Sequence, residues 1–239
     1  TEEEVSYLLG AVNGILPEAG LSRADVLYAY SGVRPLPFVE EGSEAGITRR
    51  HALRDHAPQA RGLLSVVGGK LTTYRALAQE VVDVVSARLG RETVCTTDRA
   101  PLPGAETGDF SAFCTAFKRE SGLPPEHAER LLRIYGTRSA AIVDRMRRDA
   151  HLGDVFAPRE GALRAELALA FEEEMAETLI DALMRRTLVG LGPDLGLEAL
   201  ADAADWARRH LGWDAGRVEA EQEAYRAYAQ RFMLSEAGA

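Results

Sequence analysis

The chain has 239 residues, of which 46% are hydrophobic and 27% charged, with 28 basic and 37 acidic side chains. This composition is typical of a folded protein of one large domain or two ordinary ones, and it excludes disorder and collagen-like repeats. The net charge of −9 argues against nucleic acid as a partner, because phosphate backbones favour a basic surface. No apolar run approaches the roughly 20 residues that a membrane-spanning helix needs.

The cysteines and histidines form no pattern that predicts a metal site. Cys95 and Cys114 are the only cysteines, and so distant a pair predicts neither a disulfide framework nor zinc ligation. Their small number indicates a reducing cytoplasm. His51 and His56 have a poor spacing for metal ligands on a helix, and we interpret both as surface or supporting residues.

The first part of the chain predicts a helix, a strand and a loop in that order. Thr1 and Glu4 have the spacing of a capping box, and the apolar periodicity after them predicts a helix over 1–16. Strand-favouring residues predict a strand over 25–30. Prolines, glycines and acidic residues predict an exposed loop over 35–46.

A second strand and helix are predicted over 63–67 and 72–89, before the composition changes. Prolines and turn signals then mark 91–107 as a linker. Ala, Leu, Glu and Arg dominate the remainder, which carries helical spacing. The predicted helices lie near 108–120, 125–135, 137–150, 159–173, 174–190, 195–211 and 215–236. The predicted fold class is therefore α+β, with short strands and helices in a first domain (1–90) and an all-α C-terminal domain (108–239).

The clearest local signal is Gly68-Gly69-Lys70, which lies between the predicted strand and helix. Glycines let the backbone approach a ligand closely, and a helix start offers unpaired N–H groups and a positive dipole end, so this turn predicts an anion site. It is not a phosphate-gripping P-loop, because Leu64 stands where that motif needs glycine and Leu71 follows the lysine. The alternative is a purely structural turn in which Thr72 is the N-cap.

Two arginines lie in positions that suit the binding of an anion. Arg34 lies between Gly32 and Pro35, and Arg49 belongs to a polar cluster that ends at His51. Each could hold a phosphate or carboxylate through two parallel hydrogen bonds. The alternative is an ordinary surface cation, because nearly all basic residues of this chain are arginines.

These residues carry a family resemblance. Three ordered motifs resemble the C-terminal half of FAD-dependent glycerol-3-phosphate dehydrogenase: Tyr30-Ser31-Gly32-Val33-Arg34-Pro35-Leu36, Ile47-Thr48-Arg49 and the run from Leu64 to Arg75. Further landmarks resemble its helical C-terminal domain: Leu102-Pro103-Gly104, Tyr135-Gly136-Thr137, Ala165-Glu166-Leu167 and Met184-Arg185-Arg186-Thr187. The resemblance covers nearly the whole chain.

The resemblance implies the oxidation of sn-glycerol 3-phosphate to dihydroxyacetone phosphate, with hydride transfer to FAD and electrons passed to a quinone. It implies that Gly69, Lys70, Leu71 and Thr72 bind the cofactor, where donors lower the energy of negative charge on the flavin. We assign Arg49 to the substrate phosphate. We assign Arg34 to the reacting end of the substrate, as a substrate-binding and catalytic residue.

The family begins with a strand–GxGxxG–helix unit that binds the ADP part of FAD, and this sequence has none. We therefore expect a fragment that begins inside the substrate-binding region and is inactive alone. A glycerophosphate oxidase that uses oxygen and a stand-alone helical interaction module remain alternatives. Quinone use in the family that the chain resembles implies peripheral attachment to the cytoplasmic face of the membrane. The sequence does not choose among homodimerisation, membrane docking and support of the first domain as the role of the helical part.

Overall fold

The computed structural model describes residues 1–33 and 50–234. The chain forms two compact units. We call Ser31–Leu102 the hairpin–helix unit, and Thr1–Tyr30 together with Pro103–Ala239 the helical unit. Helices predominate and the strands are short, which confirms the predicted α+β class. The first residues group with the helical part, whereas the predicted domain division placed them with the short strands. Among the described helices, none combines the length and apolar character needed to cross a membrane.

The hairpin–helix unit contains two strands and one helix. Strands β1 (Ala52–Asp55) and β2 (Leu64–Val67) form an antiparallel hairpin in which Ala52 pairs with Val67. A turn then leads from β2 into helix α2 (Tyr74–Arg88). Strand β2 and helix α2 confirm the predicted elements, whereas β1 is absent from them. None of the described residues of this unit is buried, so residues 31–33 and 50–102 form no closed hydrophobic core among themselves.

The helical unit contains seven of the described α-helices and a short hairpin. The elements are α1 (Glu2–Ile15), α3 (Phe110–Glu120), α4 (Pro125–Tyr135), α5 (Ser139–Arg148), β3 (Val155–Ala157), β4 (Ala162–Leu163), α6 (Arg164–Glu172), α7 (Leu200–His210) and α8 (Ala215–Gln230). The predicted capping box of α1 is present. One buried cluster surrounds Leu183, Trp206 and Tyr225, and a second surrounds Leu131 and Ile142. This unit therefore supplies the hydrophobic core of the chain.

The strand predicted over 25–30 is wrong. The chain is extended there but pairs with no described strand. The Ala29 amide donates to the carbonyl of Phe232 at 2.8 Å, and the Tyr28 hydroxyl donates to the carbonyl of Leu191 at 2.9 Å. Its apolar and aromatic residues thus fasten an extended segment onto the helical unit, and they do not build a sheet.

Two predicted helices begin later than the sequence indicates. The helix predicted over 159–173 begins at Arg164, because β3 and β4 form a hairpin just before it. The helix predicted over 195–211 begins at Leu200. Leu195 before it has a left-handed backbone with φ of +57°, which a continuous helix does not allow.

The helix predicted over 174–190 is replaced by shorter turns. A π-helical turn spans Asp181–Arg186, and a 3-10 turn spans Val189–Leu191. The Thr178 hydroxyl donates to the Asp181 carboxylate at 2.8 Å, and the Asp181 amide donates back to that hydroxyl at 3.1 Å. Because such reciprocal bonds satisfy free amides at a helix start, the helical segment begins only there.

Candidate functional site

The turn after β2 has a backbone that only glycine adopts easily. Gly68 and Gly69 have φ angles of +76° and +107°. A Cβ on Gly68 would lie 2.9 Å from the carbonyl oxygen of Arg50, which is closer than side-chain carbons approach backbone. The two glycines therefore let the chain turn sharply against the residue that precedes the hairpin.

A helix start follows this turn, and no side chain caps it. Lys70 is extended, Leu71–Thr73 forms one 3-10 turn, and α2 begins at Tyr74. The Thr73 amide and hydroxyl both donate to the Lys70 carbonyl, at 3.0 and 3.2 Å. The alternative in which Thr72 caps the helix is not observed, because Thr73 occupies the N-cap position and makes no capping bond.

The exposed surface of this helix start can therefore receive an anion or the electron-rich edge of a ligand. Lys70, Leu71 and Thr72 are exposed, and Leu71 retains 88% of its accessible surface. The first amides of a helix have no partner within the helix, and the dipole makes this end positive. The Lys70 ammonium adds a full positive charge. The structure thus brings together the predicted cofactor-binding residues Gly69, Lys70, Leu71 and Thr72.

A groove of about 600 Å³ lies within the hairpin–helix unit, between α2 and the segment 93–102. Its apolar lining includes Ala78, Val82, Val94 and Leu102. Tyr74 and Arg75, the first residues of α2, also line it. Arg75 donates to the hydroxyl of Thr97 at 3.2 Å, which ties the segment to the helix. The groove therefore extends along α2 from its N-terminal end, which follows the turn from Gly68 to Thr72 (hereafter the candidate turn).

Two polar side-chain pairs join the hairpin to α2, and no sequence pattern indicates either. The His51 imidazole donates through Nε2 to Glu80 Oε2 at 2.7 Å. Arg88 donates to Asp55 at 2.6 Å. The partners lie 29 and 33 positions apart in sequence, so no local spacing could have indicated them.

The predicted substrate-binding residues Arg34 and Arg49 lie outside the described residues. Their roles, and the predicted loop over 35–46, stay predictions. Within residues 1–33 and 50–234, no cluster of His, Cys, Asp or Glu could hold a metal ion.

The helical unit holds a buried polar network that the sequence did not predict. The Glu166 carboxylate is fully buried and accepts hydrogen bonds from Arg130 at 3.2 Å and from the Tyr135 hydroxyl at 2.9 Å. Arg130 also donates to the Thr187 carbonyl at 2.6 Å. Burial, reinforced by the charge of Glu166, raises the pKa of Tyr135 far above its ordinary value. Three separate sequence landmarks thus meet in one network, whose role is to hold the helices together.

Comparison with known proteins gives a consistent result. The family described as the C-terminal domain of alpha-glycerophosphate oxidase matches residues 95–218. A glycerol-3-phosphate dehydrogenase of Synechocystis is 35% identical over 234 residues, which is 97% of this chain and 42% of the relative. The aerobic glycerol-3-phosphate dehydrogenase of Escherichia coli is 34% identical over 193 residues, which is 80% of this chain and 38% of the relative.

A solved structure has the same fold. The glycerol-3-phosphate dehydrogenase of Bacillus halodurans, complexed with FAD, superposes with a TM-score of 0.75 over 99% of this chain and 47% of that chain. Its sequence identity is 24%, so the likeness concerns the fold. The chain spans about two fifths of the length of the curated relatives named above.

Proposed function

Because the chain belongs to the family of C-terminal domains of alpha-glycerophosphate oxidase, we propose that it forms the C-terminal part of an FAD-dependent glycerol-3-phosphate dehydrogenase. Relatives of this name align with almost the whole chain. The observation that carries the proposal is the uncapped start of α2, which two glycines expose and Lys70 flanks.

The residues of the turn fit the flavin. The amides of Leu71 and Thr72 at the helix start, together with the Lys70 ammonium, would hold the electron-rich pyrimidine edge of the ring system. When bound, FAD supplies the oxidant that accepts a hydride from the substrate. The turn would stabilise the negative charge that accompanies this transfer. Gly69 would allow the backbone to approach the ring closely, because it carries no side chain.

The substrate is sn-glycerol 3-phosphate in this proposal, and Arg49 and Arg34 hold its two ends. Arg49 would bind the phosphate, since a guanidinium donates two parallel hydrogen bonds to phosphate oxygens. Arg34 would contact the hydroxyl at the reacting carbon. Fixing both ends orients this carbon toward the oxidant, and such positioning lowers the barrier. As the hydride leaves this carbon, the hydroxyl proton would pass to a base that another part of the full-length enzyme supplies. Dihydroxyacetone phosphate is the product.

A quinone is the proposed electron acceptor, which would bring the enzyme to the cytoplasmic face of a membrane as a peripheral protein. The match to the C-terminal domain of alpha-glycerophosphate oxidase favours a second candidate, an oxidase that passes electrons to oxygen. A homodimer is part of the same proposal. Assays of the full-length enzyme with a soluble quinone and with oxygen separate the two acceptors.

The test is substrate-dependent bleaching of bound flavin. We expect the full-length protein to purify with FAD and to lose the flavin's visible absorption when sn-glycerol 3-phosphate is added without oxygen. Glycerol without the phosphate serves as the control and should bleach it far less. A full-length protein that binds no flavin, or whose flavin ignores the phosphorylated substrate, would overturn the proposal.

A further inference from the structure

The candidate turn has few interactions of its own. Gly68 and Gly69 are the most flexible residue type, and no side chain caps the helix start that follows them. Lys70, Leu71 and Thr72 are exposed, so packing holds their side chains weakly. A turn of this kind requires support from neighbouring elements to keep its amides in one direction.

His51 provides contact from the side of the hairpin. Its Cα lies 3.8 Å from the position that a Cβ would take on Gly68, and its Cβ lies 3.8 Å from the same position on Gly69. The imidazole is 18% exposed and donates to Glu80 at 2.7 Å. His51 therefore lies against the turn and is itself held in place from α2.

Glu80 lies on the second turn of α2, the helix that the candidate turn begins. Strand pairing joins Ala52, next to His51, to Val67, which precedes the glycines. The candidate turn thus connects two elements that also contact each other. The β1–β2 hairpin precedes it, the first part of α2 follows it, and the His51–Glu80 pair links the hairpin directly to the helix.

We propose that the His51–Glu80 pair is a positioning device that holds the turn from Gly68 to Thr72 in the conformation that presents its amides to the flavin. The inference rests on the proposed function of that turn. Neither residue touches the reacting atoms in this account. Both act through the backbone of the turn.

A second ion pair provides a matched control. Asp55 at the end of β1 pairs with Arg88 at the end of α2. From Glu80 to Arg88 the helix rises about 12 Å, and from His51 to Asp55 the strand extends about 13 Å. The two pairs therefore fasten the same helix to the same strand at opposite ends, and only His51–Glu80 adjoins the turn.

The experiment compares His51→Ala, Glu80→Ala and Arg88→Gln in the full-length enzyme. The readouts are FAD affinity and hydrogen exchange of the amides of residues 68–73. We expect His51→Ala and Glu80→Ala to weaken FAD binding roughly tenfold and to accelerate exchange by a similar factor, because a charged hydrogen bond is lost. Arg88→Gln should leave both unchanged, although it too removes a polar contact between the hairpin and α2.

His51→Gln tests the mechanism, because its side-chain amide can donate to Glu80 much as Nε2 does. We expect this variant to recover most of the affinity and of the exchange protection. Equal losses in His51→Ala and Arg88→Gln, or no loss in either, would overturn the positioning role. If the wild-type protein binds no FAD, the proposed function fails, and the exchange of residues 68–73 still decides whether the pair orders the turn.

Discussion

A Cβ on Gly68 would lie 2.9 Å from the carbonyl oxygen of Arg50. This close approach joins the start of the hairpin to the turn that follows it. Any side chain larger than hydrogen at position 68 must push the turn away from the Arg50 carbonyl. The substituted residue must also keep a left-handed backbone conformation, which costs roughly 1–2 kcal/mol.

The first prediction concerns Gly68→Ala in the full-length enzyme. We expect at least about tenfold weaker FAD binding, because a displaced turn would lose at least one hydrogen bond to negative charge on the flavin, worth about 1.5–3 kcal/mol, and about 1.4 kcal/mol corresponds to tenfold in affinity. Titration of the apoprotein with FAD measures it. Gly62→Ala is the control, because Gly62 has φ of +87° but no atom within 4 Å of its Cβ position. Equal effects of both substitutions would show that backbone strain alone matters.

Lys70→Ala should lower the reduction potential of the bound flavin. Removing one partly exposed positive charge changes the energy of nearby negative charge by about 1–2 kcal/mol. For a two-electron couple this corresponds to roughly 20–40 mV. A spectroelectrochemical titration measures the potential, and Lys118→Ala in the helical unit is the control. An unchanged potential in Lys70→Ala would remove this lysine from the flavin site.

Arg49→Ala should raise KM for sn-glycerol 3-phosphate while FAD stays bound. Loss of a charge-assisted hydrogen bond to phosphate costs about 1.5–3 kcal/mol, so we expect an increase of roughly 10- to 150-fold. Steady-state kinetics measure it, with Arg54→Ala as the control because Arg54 is an exposed arginine of β1. A KM equal to that of the wild type would exclude phosphate binding by Arg49.

Glu166→Gln should destabilise the helical unit. It leaves the guanidinium of Arg130, which is 14% exposed, without its buried carboxylate. Breaking one partner of such a pair costs about 3–5 kcal/mol. Thermal denaturation should show a melting temperature lower by roughly 6–20 °C. The control Glu129→Gln removes an exposed carboxylate with long ion pairs and should change little. A wild-type melting temperature in Glu166→Gln would contradict this account of the network.

Glu160→Gln should stabilise the protein at neutral pH. Burial, together with the nearby charge of Asp194, raises the pKa of Glu160 above its ordinary value of 4.5. A carboxyl whose pKa is higher in the folded state binds protons more tightly there, so stability falls as pH rises through this range. The variant should melt higher than wild type near pH 7 and no higher below about pH 4.

Calorimetry at the two pH values tests the last prediction, with Glu219→Gln on the exposed side of α8 as the control. A Glu160→Gln protein that melts lower than wild type near pH 7 would show that the carboxylate stabilises the fold. The sign of the difference at neutral pH is therefore decisive.

Local patterns determined what the sequence could predict. The capping box of α1 and the strand–turn–helix unit around Gly68 depend on neighbouring residues, and both are present in the structure. Strand β1 is short and carries Arg54 and Asp55, so only its pairing with β2 reveals it. The residues predicted as a strand over 25–30 instead donate hydrogen bonds to the carbonyls of Leu191 and Phe232. No local sequence signal indicates these distant partners.

In the candidate site too, the sequence predicts the residues that are neighbours in the chain and misses the contacts between distant ones. The predicted cofactor-binding residues from Gly69 to Thr72 are consecutive, so a sequence pattern could bring them together. His51 and Glu80 are 29 positions apart in sequence. From the sequence alone, a histidine beside an arginine-rich cluster is interpreted as an ordinary surface residue. Such supporting contacts depend on how the hairpin and α2 pack against each other in three dimensions, which composition and residue spacing do not reveal.

The most direct measurement is an experimental structure of the full-length protein with FAD bound. We predict that the amide nitrogens of Leu71 and Thr72 lie about 2.7–3.2 Å from acceptor atoms at the pyrimidine edge of the flavin, with Lys70 beside the same edge. A structure in which these amides bond to another part of the polypeptide, or face solvent away from the cofactor, would contradict the account.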